Sequence, residues 1–300
     1  MIKIKIKIKI TIQMKTYTLK WGKHTLELGR RTAVMGIVNV TPDSFSDGGL
    51  YYNIDHAVDH GRQLAENGAD IIDIGGESTR PFADSVSVEE ELRRVIPVIE
   101  KLATQISVPI SIDTVKAEVA RQALEAGASI INDISALKHD KNMANLAAQH
   151  GVPLILMHIQ GTPRTMQVTP EYNNLIAEIK TFLADAIRCA EKKGVLRSHI
   201  IADPGIGFGK TAQHNYSIIR HLDQFESLDV PIMIGPSRKA FIRNALKAAY
   251  GREFTPDSTW VETGTQAAVS ASVLKGAHIV RVHDVANTRA TLEIIDMLQR

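Results

Sequence analysis

This 300-residue sequence has only one cysteine, and it lacks an apolar signal core and long apolar runs. Its single cysteine, Cys189, cannot form a disulfide within the chain, which fits a reducing compartment. No run of about 18 apolar residues is present, and the start of the chain has no apolar signal core. We therefore expect a cytoplasmic protein without a membrane partner.

An excess of charge of either sign is also missing. The sequence has 35 basic and 33 acidic residues, which gives a net charge of +2. This balance argues against a nucleic-acid surface as the main function, although it leaves room for a local anion pocket. We therefore expect small molecules, rather than nucleic acid, as the partners of the site.

Several catalytic signatures are absent. No serine lies in a Gly-x-Ser-x-Gly elbow, and no Cys/His cluster has the spacing of a zinc site. The glycines of Asp203–Lys210 do not have the spacing of a phosphate-binding loop. Covalent acyl chemistry and structural zinc are therefore disfavoured, and we interpret Asp203–Lys210 as a tight turn that brings backbone close to a ligand.

What the sequence contains, from Arg31 onward, is a regular alternation of strand and helix patterns. Eight such units predict an α/β fold, a (β/α)8 TIM barrel, with residues 1–300 forming one domain; a doubly wound open sheet is the alternative. The predicted strands are residues 33–38, 70–74, 109–112, 129–132, 153–157, 199–202, 231–235 and 278–282. The predicted helices are residues 54–67, 87–104, 116–126, 142–150, 174–193, 214–225, 239–250, 261–275 and 286–299.

Residues 1–30 are predicted to extend this barrel at its N-terminus. Isoleucine and lysine alternate over Met1–Thr11, which predicts a strand with one apolar and one basic face. A membrane-surface or nucleic-acid arm is the other interpretation of that segment. Tyr17–Trp21 and Thr25–Leu28 are separated by a short turn and predict a β-hairpin.

Polar residues stand at or just beyond the ends of the predicted strands. Because the carboxyl ends of barrel strands meet at one mouth, we expect these side chains to share one site. They are Asn39, Ser78, Thr79, Arg80, Asp113, Asn132, His158, Asp203, Lys239, Arg281 and His283, with Met157 beside His158. Any one of them could instead be a satisfied buried polar group, and Lys239 could be a solvated lysine at a helix start.

The chemistry of this set suits a flat heterocycle linked to an anion. Carboxylates accept hydrogen bonds from adjacent ring N–H groups, and an amide reads a donor–acceptor edge. Arginine and histidine suit a phosphate-type anion. Met157 and Phe208 could flank a ring, or could belong to the core.

Seven segments of the chain closely resemble the dihydropteroate synthase family of the folate pathway, and they occur in the family's order. They are Met35–Gly49, Asp73–Pro81, Ser111–Thr114, Ile131–Ser135, Asp203–Lys210, Ser237–Lys239 and Arg281–Val285. The resemblance implies a TIM-barrel homodimer and sulfonamide target. Such an enzyme uses Mg²⁺ to condense 6-hydroxymethyl-7,8-dihydropterin pyrophosphate with p-aminobenzoate, giving 7,8-dihydropteroate and pyrophosphate.

The resemblance also implies roles for individual residues. The pterin would be bound by Asp113, Asn132, Met157, Asp203, Phe208 and Lys239. The pyrophosphate would be held by Asn39, Arg281 and His283, with Mg²⁺ near Asn39. Phe45, Thr79, Arg80 and Lys239 would serve p-aminobenzoate and the mobile loops, and Asp47, Arg80 and Lys239 are the expected catalytic residues. We expect loss of pyrophosphate to precede attack by the amine.

Some positions depart from the family pattern. Ala240 stands where many relatives carry serine, Arg243 stands where glycine is common, and Pro81 is followed by phenylalanine rather than glycine. The alternatives are a methyltransferase that passes a folate methyl group to a corrinoid, and a non-catalytic pterin-binding paralogue. The methyltransferase has no reason to carry Ser237–Lys239 and Arg281–His283 together with the long first loop. The presence of Asn39, Arg80, Lys239 and His283 argues against the non-catalytic paralogue.

Overall fold

A closed parallel barrel forms the body of the computed structural model, which describes residues 14–41, 50–78, 85–161, 166 and 170–299. The described residues contain eight barrel strands: β3 (Ala33–Asn39), β4 (Ile71–Gly75), β5 (Ile110–Asp113), β6 (Ile130–Asp133), β7 (Leu154–Met157), β8 (Ile200–Asp203), β9 (Met233–Ile234) and β10 (Ile279–Val282). Their order in the sheet is β8-β7-β6-β5-β4-β3-β10-β9. An isolated parallel bridge between Ala202 and Ile232 joins the two ends of this order. The predicted TIM barrel is confirmed.

Helices follow the strands and cover the barrel. In the described part of the chain they are α1 (Leu50–Glu66), α2 (Val88–Ala103), α3 (Ala117–Ala126), α4 (Met143–His150), α5 (Leu175–Lys192), α6 (Ala212–Arg220), α7 (Ala240–Tyr250), α8 (Thr259–Val273) and α9 (Val285–Gln299). Their apolar faces pack on strands that are almost continuously buried, as parallel strands covered on both sides should be. None of these helices has the length and apolarity needed to cross a bilayer.

Most predicted boundaries agree with the structure to within two residues, but the helix expected over residues 54–67 begins at Leu50, and two other elements differ in extent. The helix expected over residues 214–225 is α6, which starts earlier because Thr211 and His214 form a reciprocal capping box. It ends at Arg220, and Leu222–Leu228 continue as a 3₁₀-helix. The strand expected over residues 231–235 is reduced to Met233–Ile234.

The predicted N-terminal hairpin is confirmed as β1 (Tyr17–Trp21) and β2 (His24–Leu28), which pair antiparallel. It lies at the amino end of the barrel, where the His199 ring bonds the Lys20 carbonyl at 2.9 Å. Leu19 and Leu28 are buried in the same core as the barrel. The Ile/Lys strand predicted for Met1–Thr11 lies outside the described residues.

One carboxylate ties the amino ends of two strands to the last helix. Asp70, just before β4, accepts a hydrogen bond from the Val34 amide at 2.8 Å and from Arg289 of α9 at 2.5 Å. Arg31 also pairs with it. Because the Asp70 side chain is only 11% exposed, solvent screens these bonds weakly.

We expect Asp70→Ala to lower the free energy of unfolding by about 2–4 kcal/mol. The change removes the acceptor of the Val34 amide and the carboxylate that neutralises Arg289. Among the described residues, Arg289 then keeps only the Gly68 and Thr32 carbonyls. Urea unfolding followed by circular dichroism measures this loss. Asp185→Ala is the matched control, since Asp185 pairs with Arg188 on the surface with 58% of its side chain exposed. The control should change stability by less than about 0.5 kcal/mol; equal losses in the two variants would contradict the assignment.

Candidate active site

The carboxyl ends of neighbouring strands place polar side chains at one height of the barrel. Asn39 pairs in register with Gly75, Gly75 with Asp113, and Asp113 with Asn132. On the next pair of strands, Met157 is in register with Asp203. The sheet register therefore brings residues that are far apart in sequence to a single mouth.

Arg281 connects two carboxylates inside this mouth. Its Nε donates to Asp73 Oδ2 at 2.7 Å, and its Nη2 donates to Asp113 Oδ2 at 2.7 Å. Asn132 Nδ2 also donates to Asp73 Oδ2, at 3.1 Å. Four side chains from β4, β5, β6 and β10 thus form one hydrogen-bonded group, in which Asp73 is fully buried.

This group still has unused acceptors. Asp73 Oδ1, Asp113 Oδ1 and Asn132 Oδ1 are buried and have no hydrogen-bond partner among the described residues. A buried acceptor without a donor costs free energy, so several in one place call for an explanation. A ligand that presents N–H groups would supply the missing donors.

Lys239 and Phe208 form the other side of the mouth. Lys239 Nζ lies 4.0 Å from the centre of the Phe208 ring, and Phe208 packs in a small apolar cluster with Met157. Burial, followed by the positive charge of Arg281, lowers the pKa of Lys239 to about 8. An aromatic face beside an ammonium group suits a flat, polar ring.

Burial also changes the proton affinity of the two aspartates. It raises the pKa of Asp113 to about 7, although Arg281 acts in the opposite direction. It raises the pKa of Asp203 to about 6, while the Gly205 amide donates to Asp203 Oδ1 at 2.7 Å and acts to lower it. Both carboxyl groups are thus held in an environment that favours their neutral forms.

His283 lies just beyond β10 and does not follow Arg281 into the carboxylate group. The strand ends at Val282, and the His283 Nδ1 atom lies 2.9 Å from Ser237 Oγ. Burial and then the charge of Arg238 lower the pKa of His283 to about 3, so the ring is neutral at pH 7.

The remaining predicted site residues are placed less completely. Asn39 is exposed at the end of β3. Phe45, Asp47, Thr79 and Arg80 lie outside the described residues. Within the ranges that the structure does describe, no three His, Cys, Asp or Glu side chains come together as a metal site.

Two side chains of the mouth, Asp73 and Lys210, were not singled out by the sequence prediction, and neither was the contact between Lys210 and His158. Asp73 carried a signal, because an aspartate in the middle of an otherwise apolar strand must be paired or functional. Lys210 and His158 are each at most 5% exposed and bond each other across 2.9 Å. Their 52-residue separation in the chain leaves no local pattern that would reveal this contact.

Comparison with known proteins gives one consistent family. Residues 35–283 match the family model described as pterin binding enzyme. The dihydropteroate synthase of Synechocystis sp. is 46% identical over 279 residues, which cover 93% of this chain and 94% of that protein.

Solved structures agree with the sequence match. Xanthomonas albilineans dihydropteroate synthase with 4-aminobenzoic acid has a TM-score of 0.86 and 44% identity, covering 95% of this chain and 99% of that one. The same enzyme in complex with 7,8-dihydropteroate has a TM-score of 0.82 and 42% identity, with 94% and 98% coverage. Yersinia pestis dihydropteroate synthase with a sulfonamide drug complex has a TM-score of 0.86 and 40% identity, with 94% and 99% coverage.

Because the pKa of Asp203 is raised on folding, the free energy of unfolding should fall as pH rises from about 4 to about 6. A carboxyl group whose pKa is raised on folding contributes stability that is fully present below its unfolded value of 3.8 and is lost as pH rises through about 6. Asp203→Asn keeps the acceptor for the Gly205 amide but removes the titration. We therefore expect the wild-type chain to lose about 1–3 kcal/mol of unfolding free energy relative to this variant between pH 4 and pH 6.

Urea unfolding of both proteins at pH 4, 5, 6, 7 and 8 measures this difference. The difference in unfolding free energy between the two proteins should change between pH 4 and pH 6 and stay constant above about pH 7. Curves that stay parallel over the whole range would show that Asp203 titrates normally in the folded chain.

Proposed function

This chain belongs to the pterin-binding enzyme family and is a dihydropteroate synthase of folate biosynthesis, and we propose which residues carry the reaction. The enzyme condenses 6-hydroxymethyl-7,8-dihydropterin pyrophosphate with p-aminobenzoate and releases pyrophosphate. The observation that supports our assignment most is the group in which Arg281 bridges Asp73 and Asp113, with Lys239 and Phe208 at the same mouth.

The pterin ring would lie between the carboxylate group and the Phe208 side. Asp113, Asn132 and Asp203 would accept hydrogen bonds from its N–H groups, and Lys239 would donate to its carbonyl or ring nitrogen. The unpaired buried oxygens of Asp113 and Asn132 support this arrangement. Met157 and Phe208 would pack against the faces of the ring.

The leaving pyrophosphate would be held by Arg281, Asn39 and His283. Arg281 contributes positive charge, whereas the low pKa of His283 means that its ring would contribute a neutral hydrogen bond. The side chain of Asn39 is exposed at the strand end and offers one amide oxygen. This oxygen would suit Mg²⁺ as a ligand, because Mg²⁺ is usually held by one or two protein oxygens together with water and substrate phosphates.

Mg²⁺ bound near Asn39 would neutralise charge on the leaving pyrophosphate. The chain's own residues have the other tasks. The bond between the pterin methylene carbon and the pyrophosphate oxygen breaks, and its electron pair leaves with the anion that Arg281 stabilises. The amine nitrogen of p-aminobenzoate then bonds to that carbon and loses one proton.

We assign the loops to the second half of the reaction. Phe45 and Asp47 of the first loop would close over the site and exclude water, and Thr79 and Arg80 of the second loop would order the amine substrate. Stabilisation of the developing pterin cation by Asp113 and Asp203 requires that each be ionised at that moment. Their raised pKa values mean that this form is costly before the positive charge develops.

We also propose a cytoplasmic homodimer. The end of α7 and the start of α8 carry an aromatic pair: Tyr250 is 56% and Trp260 is 42% exposed, and their ring centres are 4.8 Å apart. Arg252 lies 5.7 Å from the Trp260 ring centre. Aromatic and arginine side chains are enriched in the centres of protein interfaces, and a second copy of the chain would cover these side chains.

The function is tested by mixing the purified protein with both substrates and Mg²⁺ and measuring pyrophosphate and dihydropteroate together. We expect equal amounts of the two products, and loss of most activity with excess chelator. Asp113→Asn should lower kcat/KM by about 100-fold, since it removes a charge that stabilises the transition state. Asp185→Asn, in an exposed pair, is the matched control and should leave kcat/KM within about twofold.

Positional isotope exchange tests the order of steps. With the pterin substrate alone, exchange of bridging and terminal oxygens is expected if pyrophosphate leaves before the amine arrives. Exchange that appears only when the amine is present would contradict the stepwise route. Pyrophosphate release without any dihydropteroate in the complete mixture would contradict the synthase assignment itself.

Ala240 provides a further prediction about the amine substrate. It is the first residue of α7, and the N-cap residue Lys239 makes no side-chain capping bond, so first-turn amides can receive the p-aminobenzoate carboxylate. Ala240→Ser adds a hydroxyl donor at this point. We expect it to lower KM for p-aminobenzoate by about 3–10-fold, the effect of one hydrogen bond with a net contribution of about 1 kcal/mol.

Steady-state kinetics at saturating pterin substrate measure this change. Ala248→Ser, at an exposed position near the other end of the same helix, controls for the chemistry of the substitution and should leave KM unchanged. An unaltered KM in the Ala240 variant would mean that the carboxylate binds elsewhere.

A further inference from the structure

A buried lysine holds the turn that follows β8. Lys210 is 2% exposed, and its Nζ donates to the Phe208 carbonyl at 2.8 Å. The same Nζ lies 2.9 Å from His158 Nδ1 and 3.4 Å from the His158 carbonyl. These contacts use the donors of the ammonium group, so Lys210 has no free donor for a substrate.

The partners of this ammonium group are neutral. Among the described residues, no carboxylate is within ion-pair distance of Lys210 Nζ. Burial lowers the pKa of Lys210 to about 7, with Asp203 acting to raise it and Lys239 acting to lower it further. Burial and the charge of Lys210 both lower the pKa of His158, so its ring is neutral and can accept at Nδ1. Since an apolar side chain would cost less to bury, stability alone does not explain this lysine.

The turn is pressed directly against the end of β7. Gly205 has a φ of +73°, and a Cβ at this position would lie 1.9 Å from the His158 carbonyl oxygen. A Cβ at Gly209 would lie 2.5 Å from the Gln160 carbonyl oxygen. On the outer side, Tyr172 Oη donates to the Gly209 carbonyl at 2.8 Å. The backbone on both sides of Phe208 is therefore tightly confined.

The ring of Phe208 emerges from this confined backbone into the mouth of the barrel. It packs with Met157, and Lys239 Nζ lies over its face at 4.0 Å. The Phe208 carbonyl, which Lys210 binds, and the Phe208 ring belong to one residue. Any shift of that carbonyl would move the ring relative to Lys239 and Asp203.

We propose that Lys210 is a positioning residue for the pterin: by holding the Phe208 carbonyl against His158, it fixes the Phe208 ring where a flat heterocycle stacks. This proposal rests on the proposed assignment of the pterin site. Lys210 does not touch the reacting atoms, because its Nζ is enclosed by the turn that it supports. Its effect is on binding of the pterin substrate and not on binding of p-aminobenzoate.

Lys210→Met tests the proposal, since methionine fills similar volume without a donor. We expect KM for the pterin substrate to rise about 10-fold, with KM for p-aminobenzoate at saturating pterin within about twofold of wild type. Lys210→Gln keeps one N–H donor for the Phe208 carbonyl and should recover part of the pterin affinity. A substitution that only weakened the fold would not separate the two substrates in this way.

Lys138→Met is the matched control. Lys138 Nζ lies 4.2 Å from the Phe182 ring centre, and Phe182 packs on His158 at 4.6 Å, but Lys138 does not bind the turn. This variant should retain both KM values. Thermal unfolding of each variant checks that the comparison is made between folded proteins.

Direct binding separates failure of this proposal from failure of the functional assignment. Isothermal titration of the wild-type, Lys210→Gln and Lys138→Met proteins with the dihydropterin pyrophosphate substrate needs no turnover and applies even if Lys210→Met does not fold. Weaker binding in the Lys210 variants alone supports the proposal. Unchanged pterin affinity in the Lys210 variants, or equal changes in both KM values, overturns it. A wild-type protein that binds no pterin overturns both the site assignment and the role of Lys210.

Discussion

The bridge from Arg281 to Asp73 and Asp113 is the constraint on which the rest of the site depends. It links β10 to β4 and β5 across the interior of the barrel, between residues separated by 208 and 168 positions in the chain. Such a buried ion pair gains little stability over apolar packing, since its Coulomb energy is largely offset by desolvation. Removing one partner would nevertheless leave a buried charge unpaired. The bridge therefore fixes the geometry of the mouth more than it stabilises the fold.

The same bridge limits what the site can bind. Asp113 uses one carboxylate oxygen for Arg281 and keeps the other unpaired, and Asn132 uses its N–H group for Asp73 and keeps its oxygen. Asp113 and Asn132 thus keep acceptors available for a ligand, and Lys239 at the same mouth would supply a donor. A heterocycle rich in N–H groups complements this surface, whereas one that presents only acceptors would leave every buried oxygen unsatisfied.

Much of the fold could be predicted because its signals are local. Apolar strands such as Ala33–Asn39, the left-handed Gly127 and Gly151 at helix ends, and the Ser87 cap are each visible within a few residues. The end of α6 was misjudged because the apolar pattern continues through Leu222–Leu228, where the chain changes to a 3₁₀-helix without losing its buried face. Periodicity alone does not distinguish these two cases.

Individual side-chain partners were much harder to predict than the mouth that contains them. Strand ends located Asp113, Asn132 and Asp203, because the carboxyl ends of all strands in a parallel barrel meet at one mouth. The partners of Arg281 depend on which strands are neighbours and on the stagger between them. No short stretch of sequence reveals either the order or the stagger of the strands. Asp73 was overlooked as a single residue for this reason, although its position within an apolar strand marked it as unusual.

Opposite charges lie close together in the described part of the mouth. The carboxylates of Asp73, Asp113 and Asp203 lie near Lys239 and Arg281, and Lys210 is buried beside them in the turn after β8. Burial brings the pKa values of Asp113 and Lys239 to about 7 and about 8, close enough that a nearby charge can decide which group holds a proton. With pyrophosphate bound at the proposed site, its charge would favour the protonated lysine, and its departure would remove that influence. Protonation of Lys239 would therefore change when the leaving group departs, because a ligand that binds the protonated form more tightly also raises the population of that form.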